Sequence, residues 1–95
     1  MDVKLISAFD RGIASDANEA MSIAEEARQI IDQAFYPCSL EMHRQLAEMY
    51  VVDERFRSHY NDQRQGLAAW FSEAIRANNL RARDRSISAD EESVT

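Results

Sequence analysis

This 95-residue sequence contains few residues that favour turns, with only two glycines and one proline. Glycine and proline are the residues that most often interrupt regular structure, and the long intervals between them suit helices better than strands. The middle of the chain is rich in alanine, glutamate, arginine, glutamine, leucine and methionine, which are good helix formers. The length allows one compact domain and is too short for two. We therefore predict a single all-α domain.

Three further absences exclude whole classes of protein. Cys38 is the only cysteine, so no internal disulfide can form, which fits a reducing cytoplasm. No apolar run approaches the roughly 20 residues that cross a bilayer, and the N-terminus lacks the basic start and apolar core of a secretion signal. The net charge of −6 disfavours nucleic acid binding, which depends on cationic contacts to phosphates. We expect a cytoplasmic protein that contacts neither membrane nor DNA directly.

Apolar residues at helical spacing predict about five helices. The first runs from Asp2 to Arg11, and Gly12 can end it. The second has the strongest periodicity, beginning at Ser15 as N-cap and continuing to Phe35. Its alanines should allow close approach by a neighbouring helix; they are Ala20, Ala24, Ala27 and Ala34.

The later helix boundaries follow from capping residues. Ser39 and Asp53 are each placed to cap a helix N-terminus, because their side-chain oxygens can accept backbone N–H groups. The last helix is predicted over residues 62–79. Beyond Arg81 the sequence turns polar and loses periodicity. We expect an ordered domain over residues 1–80 and a disordered tail over residues 81–95.

The run from His43 to Phe56 (HRQLAEMYVVDERF) is similar to the core signature of the TipAS effector domains. The similarity continues through Tyr60, Gly66-Leu67-Ala68 and residues 74–78 (AIRAN). Upstream, residues 35–39 (FYPCS) resemble the aromatic-Cys-Ser junction that precedes this helix in the family. The spacing between these blocks agrees as well. The resemblance spans Ala20 to Asn78.

This resemblance implies a globin-like bundle around a deep cleft that binds thiopeptide antibiotics or other bulky hydrophobic drugs. In the family the domain usually follows a winged helix-turn-helix and a dimerising coiled coil, and ligand binding activates transcription. We therefore expect a monomeric effector domain of a MerR-type regulator that reaches DNA only through a separate N-terminal domain. No cofactor, metal or enzymatic activity is expected. Some relatives capture a drug through a cysteine thiol, and Cys38 is the sole candidate here.

Aromatic and methionine side chains are the best candidates for the cleft. Ligand pockets are mostly apolar with a few oriented polar groups, and methionine adapts to irregular ligands. The third, fourth and last helices are expected to form the walls. The predicted ligand-binding residues are Tyr36, His43, Leu46, Met49, Tyr50, Phe56, Tyr60 and Trp70.

Simpler interpretations remain open for several of these residues. A histidine on an apolar helix face, such as His43, is more often a hydrogen-bonded core residue than a ligand contact. Cys38 is either a reactive thiol with a pKa lowered by a helix N-terminus or a small buried hydrophobe. Asp53 suits an N-cap better than an acid or base. His43 and His59 fall in different predicted elements and have no metal-ligand spacing.

Other functions also remain open. The main alternative is a protein-interaction module whose apolar groove accepts a partner helix, and a stand-alone relative could act by sequestering drug. A haem-binding variant is a more distant alternative. No serine, histidine and carboxylate arrangement indicates a nucleophile elbow, and no glycine-rich loop could hold a phosphate.

Overall fold

The computed structural model describes the backbone of residues 2–94 and the side chains of residues 3–83. Within that part of the chain the regular structure is entirely helical, which confirms the predicted class. The five helices are α1 (Asp2–Asp10), α2 (Asn18–Ala34), α3 (Leu40–Val52), α4 (Glu54–Asn61) and α5 (Leu67–Val94). None of the helices described is both long enough and apolar enough to cross a membrane.

The N-terminal half of α5 is the central element, because each of the other four helices packs against it. Leu67, Phe71 and Ile75 on α5 are almost completely buried. They meet a layer of small side chains, since three of the four α2 alanines are buried as predicted; the exception is Ala34, which is exposed at the end of the helix. Together with these three alanines, the core contains Leu5, Ala8, Ile23, Ala47, Tyr50 and Ala74.

The two predicted N-caps of the middle helices are confirmed. The Ser39 side chain accepts a hydrogen bond from the backbone N–H of Met42 at the start of α3. The Asp53 carboxylate accepts one from the backbone N–H of Arg55 at the start of α4. Each cap satisfies a backbone donor that the helix itself cannot satisfy, which fixes the boundary.

The predicted start of α2 is wrong. The helix begins at Asn18 and not after Ser15, and its N-cap, Ala17, has no side-chain hydrogen bond. The Ser15 hydroxyl instead donates to Glu73 Oε2 on α5 at 3.0 Å. The local pattern predicted that this hydroxyl caps α2, but it forms a tertiary hydrogen bond with α5 instead.

The predicted start of the last helix is also wrong, because α5 begins at Leu67 and not at residue 62. Gly66 precedes it with φ +87°, a conformation that glycine adopts without strain. Glycine has no side chain to cap a helix, and the Asn61 side chain accepts the backbone N–H of Ala68 at 3.1 Å in its place. The α5 backbone runs to Val94. The disorder predicted for residues 81–95 stays a prediction, since the side chains from residue 84 onward lie outside the described residues.

A polar network ties α2 to the α2–α3 turn and to α5. The Arg28 guanidinium donates to Glu25 Oε1 at 2.9 Å and to the Cys38 carbonyl at 2.7 Å. Asn78 on α5 donates to the same Glu25 oxygen at 3.0 Å, and Asp32 accepts the Cys38 N–H at 2.7 Å. The hydrogen bond from Arg28 is the main reason that the pKa of Glu25 falls to about 2. This network fixes α2 relative to the α2–α3 turn and to α5.

Candidate ligand-binding cavity

An apolar cavity of about 180 Å³ lies in the middle of the bundle. Each of the five helices contributes at least one side chain to its wall. The lining residues are Leu5 from α1; Ala27, Ile30 and Ile31 from α2; His43 and Tyr50 from α3; Tyr60 from α4; and Phe71 from α5. The cavity reaches the surface at Ile30, which is 42% exposed.

Stacked aromatic rings form one wall of the cavity. Tyr50 lies nearly parallel to Phe71, with ring centroids 5.8 Å apart, and Tyr60 is within 5.5 Å of both rings. Phe56 packs on Tyr50 from outside at 5.5 Å. Burial raises the pKa of Tyr50 to about 12, so its hydroxyl stays protonated at neutral pH. The wall is therefore uncharged and broad enough to stack against a planar ligand group.

His43 is the only imidazole in the lining, and the other polar groups there are the hydroxyls of Tyr50 and Tyr60. It is completely buried, yet neither ring nitrogen has a hydrogen-bond partner within the described part of the chain. The predicted burial is confirmed, whereas the predicted hydrogen bond is absent. Desolvation, with a smaller contribution from the Arg28 charge, lowers the pKa of His43 from 6.5 to about 4.

Only part of the predicted ligand-binding set comes together. His43, Tyr50 and Tyr60 line the cavity. Phe56 lies behind Tyr50, while Leu46 packs at the edge of the core and Met49 is partly buried. These last three residues are not part of the cavity wall, so a direct contact with ligand stays a prediction for them.

Tyr36 and Trp70 lie apart from the cavity wall. Tyr36 is 41% exposed in the turn between α2 and α3. Trp70 donates its indole N–H to the Ile13 carbonyl at 2.9 Å and packs edge-on against Phe9, with ring centroids 6.0 Å apart. Trp70 thus fastens the end of α1 to α5, and its role in ligand binding stays a prediction.

The environment of Cys38 differs from that of a reactive thiol. The residue is completely buried at the α2–α3 junction, as the small-hydrophobe interpretation expects. Burial raises the pKa of its thiol above the usual value, which is the opposite direction to the one that a reactive thiol needs. The Arg28 charge opposes this shift but does not outweigh desolvation. Covalent capture by Cys38 stays a prediction that this arrangement does not favour.

Five lining residues lie outside the predicted ligand-binding set, namely Leu5, Ala27, Ile30, Ile31 and Phe71. All five are apolar residues at helical spacing, a pattern that predicts burial but does not distinguish a packed core from the wall of a cavity. Ile30 and Ile31 are adjacent in sequence, so the apolar face of α2 is wide near its C-terminal end. A wide apolar face is the sequence feature that could have indicated a cavity wall there.

Three larger hollows have charged side chains in their linings. Their volumes are about 320 Å³ between α3 and α5, about 350 Å³ between α1 and α2, and about 260 Å³ where α2, α3 and α5 meet. Charged linings suit a hydrophobic ligand less well than the mainly apolar lining of the central cavity. Within the described residues, no group of three histidine, cysteine or carboxylate side chains could hold a metal ion.

Two solved structures share this fold at high sequence identity. TipAS of Streptomyces lividans, solved in complex with nosiheptide, matches with a TM-score of 0.79 and 41% identity over 85% of this chain and 57% of that chain. The antibiotic binding domain of a TipA-class multidrug resistance transcriptional regulator matches with a TM-score of 0.74 and 42% identity over 82% of this chain and 83% of that chain. The fold is therefore that of the small helical domains found in these two proteins.

The family follows from the sequence. The model of the TipAS antibiotic-recognition domain matches residues 1–78, and this chain belongs to that family. The HTH-type transcriptional activator TipA of Streptomyces coelicolor is 42% identical over 78 residues, which are 82% of this chain and 31% of TipA. The HTH-type transcriptional activator mta of Bacillus subtilis is 40% identical over 60 residues, which are 63% of this chain and 23% of mta. The chain thus spans less than a third of the length of these curated relatives.

Proposed function

We propose that this chain is the drug-sensing effector domain of a cytoplasmic MerR-type transcription regulator. It binds a bulky hydrophobic antibiotic of the thiopeptide kind in the cavity and acts by binding, not by catalysis. DNA is contacted only by a separate N-terminal domain. The observation that carries the proposal is the apolar cavity to which all five helices contribute. A ligand there contacts every element of the domain at once, so its binding can change how the helices are arranged.

The cavity must enlarge to accept such a ligand. Pockets for drug-sized molecules typically have volumes of about 300–1,000 Å³, and this cavity has about 180 Å³. An apolar surface extends beyond the opening, because Ile30 is 42% exposed and Phe56 is 37% exposed. A large ligand can therefore place one group inside and spread over this rim.

The wall that we expect to move is α1. Its nine residues bury only Leu5 and Ala8 completely, and an isolated helix of this length is marginal in water. The eight-residue α4 has no buried residue, but Tyr60 joins it to Tyr50 and Phe71 through ring contacts.

The ion pairs of α1 lie on the surface, with partners Glu26, Glu19 and Arg64 on other elements. Surface ion pairs contribute at most about 1 kcal/mol each. A ligand that packs against Leu5 would change the position or the order of α1, which is the signal passed to the rest of the regulator.

A two-dimensional amide NMR titration with nosiheptide tests the proposal. We expect saturable shifts at the cavity wall and in α1, and none with an unrelated hydrophobic compound of similar size. The variant Ile30→Ser removes an apolar contact at the opening and should weaken binding. Its matched control is Val52→Ser, because Val52 is 70% exposed and does not line the cavity.

Equal effects of the two serine variants would place binding elsewhere. Saturable shifts confined to any of the three larger hollows would contradict the proposal as well. An absence of any response to drug, together with binding of an amphipathic partner helix, would favour the protein-interaction alternative.

A further inference from the structure

The unpaired imidazole of His43 has no structural role that explains its burial. Leaving a buried polar group without a partner costs roughly 1–3 kcal/mol, so nearly all such groups in folded proteins are satisfied. Within residues 3–83, the only buried side-chain nitrogen or oxygen atoms without a partner are the two ring nitrogens of His43. An apolar side chain of similar size would avoid this cost. We therefore expect His43 to make the domain less stable than an apolar side chain of similar size would.

The surroundings of His43 leave the ring neutral and its nitrogens available. Arg28 and Glu25 are the charged groups that act on it, and each is already engaged in the network joining α2 to the α2–α3 turn and α5. Burial, reinforced by Arg28 and opposed by Glu25, holds the pKa of His43 near 4. A neutral imidazole offers one N–H donor and one acceptor nitrogen. The other cavity-lining side chains are aliphatic or aromatic, and their only polar groups are the hydroxyls of Tyr50 and Tyr60.

We propose that His43 is the specificity-determining residue of the cavity and forms a hydrogen bond with an uncharged polar group carried on the apolar body of the ligand. Suitable groups are a phenol hydroxyl, an amide or the N–H of a neutral ring. An ionised group is disfavoured because the cavity would remove its hydration, no lining side chain is charged, and the nearby Arg28 is already paired with Glu25. This inference rests on the proposed function, since it concerns the ligand of the same cavity.

Small probes test the inference without the antibiotic. A cavity of about 180 Å³ can hold a single aromatic ring, since an apolar cavity of roughly 150 Å³ binds benzene. Phenol and toluene have nearly the same size and differ in one hydroxyl, so their affinities are measured by NMR titration for the wild type and for His43→Leu. We expect the ratio of phenol affinity to toluene affinity to fall about tenfold in His43→Leu, equivalent to about 1.4 kcal/mol. The control Val52→Ser, at a residue that is 70% exposed and does not line the cavity, should keep the wild-type ratio.

Thermal unfolding separates a binding role from a structural one. His43→Leu should unfold at the same or a higher temperature at pH 7, because it removes two unpaired buried nitrogens. An unchanged phenol-to-toluene ratio in His43→Leu would overturn the inference. Benzoate binding to the wild type as tightly as phenol would overturn it too, since benzoate carries an ionised carboxylate.

Nosiheptide binding distinguishes the inference from the proposed function. If nosiheptide binds in the cavity but His43→Leu leaves the probe ratio unchanged, the function stands and the inference fails. If the probe ratio changes as expected but nosiheptide does not bind, the role of His43 stands and the thiopeptide function fails. If neither nosiheptide nor any probe binds, both are wrong.

Discussion

Protonation of His43 should destabilise the domain in mildly acidic solution. Its pKa is about 4 in the folded protein, against an ordinary value of 6.5 that we assign to the unfolded chain. Between these two values the unfolded chain binds a proton that the folded protein does not, so acid favours unfolding. The free energy of unfolding is therefore highest above pH 6.5, where His43 is neutral in both states, and it decreases as the pH falls toward 4.

The size of the effect follows from the pKa difference. Each pKa unit corresponds to 1.36 kcal/mol, so the free energy of unfolding should fall by about 2 kcal/mol between pH 7.5 and pH 5 and by about 3 kcal/mol once the pH is below 4. Glu25 acts in a lower window, because its pKa falls from 4.5 to about 2 in the folded protein. Its contribution is present above pH 4.5 and is lost as the pH falls toward 2. The interval from pH 6.5 to pH 4.5 therefore reports mainly on His43.

Urea denaturation monitored by circular dichroism at pH 7.5, 6.0, 5.0 and 4.5 measures this dependence. His43→Leu should show a nearly flat profile over the same interval, while the surface variant Val52→Ser, at a residue that is 70% exposed, should keep the slope of the wild type. Parallel profiles for the wild type and His43→Leu would refute the reasoning. A wild type that becomes more stable as the pH falls from 6.5 to 4.5 would refute its sign.

Three further outcomes follow from the contacts described above. Arg28→Ala should lower the free energy of unfolding by about 2 kcal/mol because it breaks a half-buried network, whereas Arg44→Ala, at an exposed pair, should change it by less than about 1 kcal/mol in urea denaturation. Trp70→Phe removes the donor to the Ile13 carbonyl and should cost about 1 kcal/mol, with faster hydrogen exchange at the end of α1. Cys38 should react with a thiol reagent far more slowly in the native protein than in urea, since it is buried and the pKa of its thiol is raised; equal rates would contradict its burial.

The features predictable from sequence are those determined by a few neighbouring residues. The caps at Ser39 and Asp53 depend on a side chain and a backbone group two or three positions away, so the local pattern was sufficient. Ser15 and Asn61 show the opposite case. The first donates to Glu73 and the second caps α5 across an intervening turn, and both choices depend on how distant segments pack. A capping pattern identifies a suitable oxygen but cannot tell which donor or acceptor the fold brings to it.

The cavity was predictable only in part for the same reason. Periodicity shows that a side chain such as Phe71 or Ile31 faces inward, but not whether the facing surface fills the space beside it. His43 is the clearest example, because its burial follows from its position on α3, whereas the absence of a partner depends on every side chain around it. Trp70 has the amphipathic character expected of a cleft residue, and in the structure it joins the end of α1 to α5. Distinguishing these roles requires the complete packing arrangement.

The distribution of contacts around the cavity decides which wall should move when it fills. α2, α3 and α5 are held together by buried alanines, by the Glu25–Arg28 network and by a buried hydrogen bond from Ser72 to the Ala47 carbonyl at 2.9 Å. α1 is held mainly by Leu5 and Ala8, by surface ion pairs, and by Trp70 at its C-terminal end. We expect a ligand larger than the cavity to displace α1 about its contact with Trp70 and not to separate α2, α3 and α5. On the proposed function, α1 is then both a wall of the cavity and the element whose displacement reports that the cavity is occupied.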